Sequence, residues 1–156
     1  MLAGASLAAT PVTSPTSAPE SIKQALQIWL DAVASHTPEK VAALYDTDAV
    51  LLPTLRNAVH DTPAERLDYF QMFATMPEIK GKVEEQHPRL LDENTAVNGG
   101  IYTFSFLQDG KPVNVTARFS FTYKKENGEW KIVEHHSSRL PEPVAAAQQT
   151  AAVRTN

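Results

Sequence analysis

Four consecutive residues, His135-His136-Ser137-Ser138, bring two imidazoles and two hydroxyls into one segment. Imidazoles titrate near neutrality and move protons, and hydroxyls both donate and accept hydrogen bonds. Thr54, just after Pro53, Tyr69 and Tyr102 add three more hydroxyls, and Arg118 adds a cation. Hydroxyls and an imidazole around a semi-apolar hollow can orient a water, accept its proton and steady negative charge on oxygen. Metal chemistry fits this set poorly. Neighbouring side chains on a strand point to opposite faces, so His135 and His136 cannot chelate one ion. His36, His60 and His87 lie in unrelated segments, and there is no cysteine to supply a thiolate. The reading is a site without a cofactor, with zinc or manganese as the alternative.

Strand parity decides which of the four residues faces inward. Trp130 and Ile132 form the more apolar set, which places Glu134, His136 and Ser138 on the inner side. The competing set is Lys131, Val133, His135 and Ser137, and a bulge would exchange the two. On the first choice His136 and Ser138 are catalytic candidates and Ser137, Tyr102 and His135 substrate-binding ones; Thr54 and Tyr69 join the catalytic set through the resemblance of their segments to a known family. Each also has a plain structural reading: Thr54 as a turn hydroxyl, Tyr69 and Tyr102 as core aromatics, Arg118 as a solvated arginine.

Helices come first. Ser17 with Glu20 has capping-box spacing, and Ile22, Leu26, Trp29, Leu30 and Val33 follow at helical intervals. Thr37-Pro38-Glu39 opens a short second helix, in which Val41, Leu44 and Tyr45 are apolar. Asp46-Thr47-Asp48 reads as a turn, and Ala49 to Leu52 as a short strand stopped by Pro53. Thr62-Pro63-Ala64-Glu65 caps a third helix with Leu67, Phe70 and Phe73 on one face and Tyr69 beside them.

From Gly81 the period becomes two. Lys82 to His87 reads as a polar strand. Thr95 to Phe106 is a stronger one, with a bulge or bend expected at Gly99-Gly100. Val113–Lys125 alternates most clearly, its odd positions apolar. Asp109-Gly110 and Asn127-Gly128 are hairpin turns, the second leading into Trp130–Ser138. Helices followed by a strand meander predict an α+β domain, helices packed on a strongly curved mixed or antiparallel sheet. Its open end would gather the polar side chains.

The order of elements resembles the NTF2-like, or SnoaL-like, superfamily, whose fold is such a cone. Trp130-Lys131-Ile132-Val133-Glu134-His135-His136-Ser137-Ser138 with Leu140-Pro141 is similar to the signature of its calmodulin-kinase association-domain branch and the bacterial SgcJ/EcaC relatives. Ala43-Leu44-Tyr45, Ala49-Val50-Leu51-Leu52-Pro53-Thr54-Leu55 and Asp68-Tyr69-Phe70 resemble the iota-class carbonic anhydrases, small dimers of this fold. That resemblance implies reversible hydration of carbon dioxide to bicarbonate in a hydroxyl-lined cavity, in a class that includes metal-free members. It carries Thr54, Tyr69 and a serine, Ser137 or Ser138, into the cavity. Arg56-Asn57 departs from the Ser-Asn expected there, and the added cation bears on anion affinity. The branch equally implies a non-catalytic, homo-oligomeric association domain. A SnoaL-type cyclase or isomerase is the weakest reading, since that chemistry needs a buried carboxylate and only Glu134 is available.

Composition sets the outer bounds. The chain has 156 residues, 42% hydrophobic and 21% charged, which fits one globular domain. A net charge of −4 argues against nucleic acid or anionic lipid as a partner, and no apolar run is long enough to span a membrane. Residues 1–19, free of charge and rich in Ala, Ser, Thr and Pro, read as a flexible lead-in or signal-peptide remnant. Residues 20–143 hold the domain, and residues 144–156 form an Ala-rich tail. A signal remnant implies a periplasmic or secreted protein; without one it would be cytoplasmic.

Overall fold

Val115, Ala117, Phe119, Phe121 and Tyr123 all turn inward from one strand, the longest among the described residues. The computed structural model describes residues 17–141; the lead-in and tail assigned above lie almost wholly outside them. Three helices, α1 (Ala18–Ala34), α2 (Pro38–Ala42) and α3 (Pro63–Phe73), join five strands. These are β1 (Tyr45–Leu52), β2 (Lys80–Asp92), β3 (Thr95–Gln108), β4 (Lys111–Glu126) and β5 (Glu129–Arg139). The strands form one sheet in the order β1-β5-β4-β3-β2, with β1 parallel to β5 and the other pairs antiparallel. The fold is the expected α+β arrangement, helices packed on a curved mixed sheet.

Local chemistry explains most boundaries. At α3 the Thr62 side chain accepts from the Glu65 backbone while the Glu65 carboxylate reaches back to the Thr62 backbone, a complete capping box. At α1 the same spacing does not close: Ser17 makes no side-chain cap, and the Glu20 carboxylate pairs with Lys23 at 2.8 Å instead. Asn127 and Gly128 take φ of 49° and 80°, as the β4–β5 hairpin demands. Among the described residues no helix is long and apolar enough to cross a membrane.

Two expectations about backbone irregularity change. Asp46-Thr47-Asp48 is not a turn but part of β1, where the register with β5 breaks between Tyr45 and Val50. The polar run stays in the strand because parallel pairing with β5 resumes beyond it. The Gly99-Gly100 stretch of β3 pairs with β4 without interruption; the bulge lies opposite, on β2, between Val83 and Glu85. A Cβ on Gly100 would stand 2.0 Å from the Glu85 carbonyl oxygen. Glycine is there because the bulged neighbour presses onto it.

The core centres on Trp29. Its ring meets Phe70, Phe104, Phe121 and His135 edge-on and stacks on Tyr102, with centroids 5.2–6.4 Å away. Helix α1 lies over β2 and β3, and α3 over β1, leaving a gap between them at the end of β1.

Candidate functional site

That gap is a narrow cavity, with about 20 Å³ in which the centre of a water molecule could move. This suffices for a molecule or two of water size and is far below the several hundred Å³ of a typical organic-ligand pocket. Its walls are mostly apolar, among them Leu51, Phe73, Phe104 and Val115. Thr54, Tyr69, Tyr102, His135 and Ser137 supply the polar part.

Five of the seven candidate residues therefore meet in one cavity. His136 and Ser138 do not. His135 and Ser137 are buried, His136 is exposed and Ser138 is half-buried, the reverse of the expected parity. The cause is one extra residue. On β4 Tyr123 faces Ile132 and Thr122 faces Glu134, so Val133 bulges out and the alternation slips by one. Ile132 still points inward, and so do His135 and Ser137. His136 and Ser138 instead line an open groove on the outer side, with Arg56, Asn57 and Arg139. Thr54 and Ser137 border both spaces.

Four of these five polar groups are joined to one another. Ser137 Oγ lies 2.5 Å from Thr54 Oγ1 and accepts from the Tyr102 hydroxyl at 2.6 Å. Tyr102 Oη is 3.2 Å from His135 Nε2, and His135 Nδ1 is 2.8 Å from Tyr45 Oη. The indole N–H of Trp29 donates to Tyr45 Oη at 3.1 Å. Phe121 stacks on the imidazole at 3.9 Å between centroids. Burial pushes the His135 pKa down to about 3, with the nearby His136 acting in the same direction. The expectation of an inward imidazole titrating near neutrality is therefore corrected: the inner imidazole stays neutral. Burial raises the Tyr69 and Tyr102 phenols well above their ordinary range, so both remain protonated donors.

The loop after β1 closes the cavity. Leu51 and His60 exchange two backbone hydrogen bonds of 2.9 Å, making residues 52–59 a tied loop. The Arg56 cation that departs from the expected sequence is paired with Asp68 at 2.5 Å and lies 5.8 Å from the centre of the Tyr69 ring. It clamps the loop to α3 rather than entering the cavity.

Sequence reasoning missed two participants, Trp29 and Tyr45. Both were assigned only to apolar helix faces, yet each carries a polar atom that a buried aromatic must satisfy. For zinc or manganese, the donors do not fit: among the described residues no three His, Asp or Glu side chains converge.

The family profile for the calcium/calmodulin dependent protein kinase II association domain matches residues 19–141. A protein of Xanthomonas campestris assigned to that domain is 39% identical, with a TM-score of 0.78 over 85% of this chain and 95% of its own. The CaMKII hub homology domain of Chlamydomonas reinhardtii is 23% identical, with a TM-score of 0.70 over 81% of this chain and 100% of its own. A nuclear transport factor 2 (NTF2-like) superfamily protein of Salmonella enterica is 15% identical, with a TM-score of 0.69 over 80% of this chain and 92% of its own. The comparison with curated proteins yields no match. The fold is NTF2-like, and the chain belongs to the calcium/calmodulin dependent protein kinase II association domain family.

Proposed function

We propose that this chain is a self-associating domain that joins copies of itself through the outer face of its sheet. Its family membership supports the reading. The observation that carries it is a one-sided sheet: α1 and α3 pack on one face, while Asn114, Arg118 and Ser120 stand exposed on the other. A hydroxyl pair, Thr103 with Thr116 at 2.9 Å, lies on that same outer side. Such a face serves as an isologous interface when a second copy supplies the same groups. Light scattering across a concentration series should give the mass of two or more copies, and Arg118→Glu should shift the population toward single chains. A single-chain mass at every concentration would overturn the reading.

The hydroxyl-walled cavity favours a second reading, in which the same domain hydrates carbon dioxide. The space suits a triatomic guest, and its apolar walls suit an uncharged one. The Ser137 hydroxyl would accept from the attacking water, and the Thr54 and Tyr69 hydroxyls would meet the charge that grows on the carbon dioxide oxygens. The water oxygen bonds to carbon, bicarbonate forms, and the released proton leaves for solvent. His135 is not the acceptor, because both ring nitrogens are occupied and its pKa is about 3. His136, exposed in the outer groove that Thr54 and Ser137 also border, is the imidazole in reach of water. Chelator-treated protein should speed the colour change of a pH indicator in carbon dioxide solution, and Thr54→Val should lower kcat/KM about 10²-fold. A rate equal to buffer alone would remove the activity. A dimer is the size this reading expects; a ring of many copies belongs to the hub-type assembly.

A further inference from the structure

Six polar groups form a single row: Trp29, Tyr45, His135, Tyr102, Ser137, Thr54. Every member except the first both gives and takes hydrogen bonds. The indole N–H only donates, so it fixes one end of the row. Tyr45 Oη takes the indole hydrogen, and its own hydrogen has one remaining acceptor among the described residues, His135 Nδ1. A neutral imidazole accepting at Nδ1 carries its hydrogen on Nε2, which lies 3.2 Å from Tyr102 Oη. Tyr102 in turn donates to Ser137, and Ser137 is left to donate to Thr54.

Run in reverse, the row fails at the anchored end. An Nδ1–H would deliver a second hydrogen to Tyr45 Oη, and the Tyr45 hydroxyl hydrogen would have no acceptor among the described residues. Tyr45 is 6% exposed, so water does not readily take it. An orphaned hydrogen in a dry interior is the costlier arrangement.

We infer that Trp29, through Tyr45, sets the direction of the whole row, so that Thr54 turns its hydroxyl hydrogen into the cavity and selects a guest offering an oxygen lone pair. The preferred ligands are small oxoanions or carbonyl-type oxygens, and small ammonium ions are refused. Trp29 and Tyr45 are positioning residues, remote from the guest. This inference deepens the hydration reading and relies on it for the guest's identity, while the direction of the row stands apart from any turnover.

The experiment is nitrogen NMR of the full chain with ¹⁵N-labelled histidine, with His135→Gln used to assign the signals. His135 should show a bare, pyridine-like Nδ1 and a protonated Nε2 at neutral pH. A protonated Nδ1 would overturn the inference, whether or not the protein hydrates carbon dioxide. In Trp29→Phe, with folding checked by circular dichroism, the His135 signals should move toward a mixture of tautomers; a pure Nε2–H signal would remove Trp29 from the role. Should that variant not fold, the wild-type tautomer still decides. Formate should perturb the Ser137 and Thr54 amide signals and methylammonium should not. Thr54→Val should weaken formate binding about tenfold, with Thr54→Ser retaining it. Methylammonium binding as tightly as formate would overturn the ligand selectivity. A correct tautomer with no hydration activity would sink the hydration reading and leave the direction of the row intact.

Discussion

Arg66→Leu should leave the domain about 3 kcal/mol less stable, because three carbonyls lose their donor at once. Arg66 is 2% exposed, yet among the described residues it pairs with no carboxylate. Its guanidinium donates to the carbonyls of Ala49 at 2.6 Å and of Asp46 and Thr47 at 2.8 Å each. Those carbonyls flank the register break in β1, where the ladder to β5 cannot serve them. The arginine fork replaces the missing strand partner from the side of α3. It also lies 5.9 Å from the centre of the Tyr45 ring, beside the phenol at the start of the polar row. Leucine would replace the stem but none of the donors. Each buried acceptor left bare costs about 1–3 kcal/mol, reduced here because Asp46 and Thr47 lie partly in solvent. Urea titration should show a lower midpoint at unchanged slope. Arg66→Lys should recover less than half of the loss, since one ammonium cannot reach all three oxygens. A loss below about 1 kcal/mol would show that water serves the bulge as well as the guanidinium does.

The second expected effect concerns acid. The pKa of His135 falls from an ordinary 6.5 to about 3 in the folded protein. Between those values the unfolded chain binds more protons than the folded one, so stability rises with pH across that window. The contribution is complete above pH 6.5 and is lost progressively as pH falls toward 3. Its full size is on the order of 5 kcal/mol. Around the ring stand Trp29, Tyr45, Tyr102 and Phe121, none of them charged, so nothing there welcomes an imidazolium. Glu65 and Asp46 carry carboxyl pKa values already below the ordinary range, through hydrogen bonds from Thr62 and from the Asp48 backbone respectively. Their contributions are therefore lost only at lower pH, and the fall just below pH 6.5 belongs to His135. Urea midpoints measured from pH 7 to pH 4.5 should drop in the wild type and flatten in His135→Gln. Parallel slopes in the two proteins would assign the acid sensitivity elsewhere.

Much of this could be read from the residues before any coordinates. The alternation of β4 and the capping box of Thr62 and Glu65 declare themselves, because each depends on neighbours a few positions away. Thr54 was legible as a hydroxyl at the end of an apolar strand and Tyr69 through the family likeness, while Tyr102 read first as a core aromatic. What was hidden depended on partners far along the chain. Asp46-Thr47-Asp48 has turn composition, yet pairing with β5 and donation from Arg66 keep it in a strand. Arg66 itself sits on the inward side of α3 with Tyr69 and Phe70, a place that charge alone would deny it. Trp29 and Tyr45 looked like core filling, since only their contact in space reveals what their polar atoms do.

Val133 carries a wider implication. Because it stands outside the ladder, Ile132 and His135 both point inward although three positions apart, and the interior meets His135 rather than its twin next door. Taking Val133 out would restore strict alternation with Ile132 and His135 still inward, whereas drawing Val133 into the ladder would turn the two imidazoles, and the two serines after them, to the opposite faces. What a guest encounters is thus decided by whether one residue joins the ladder, with no side chain replaced.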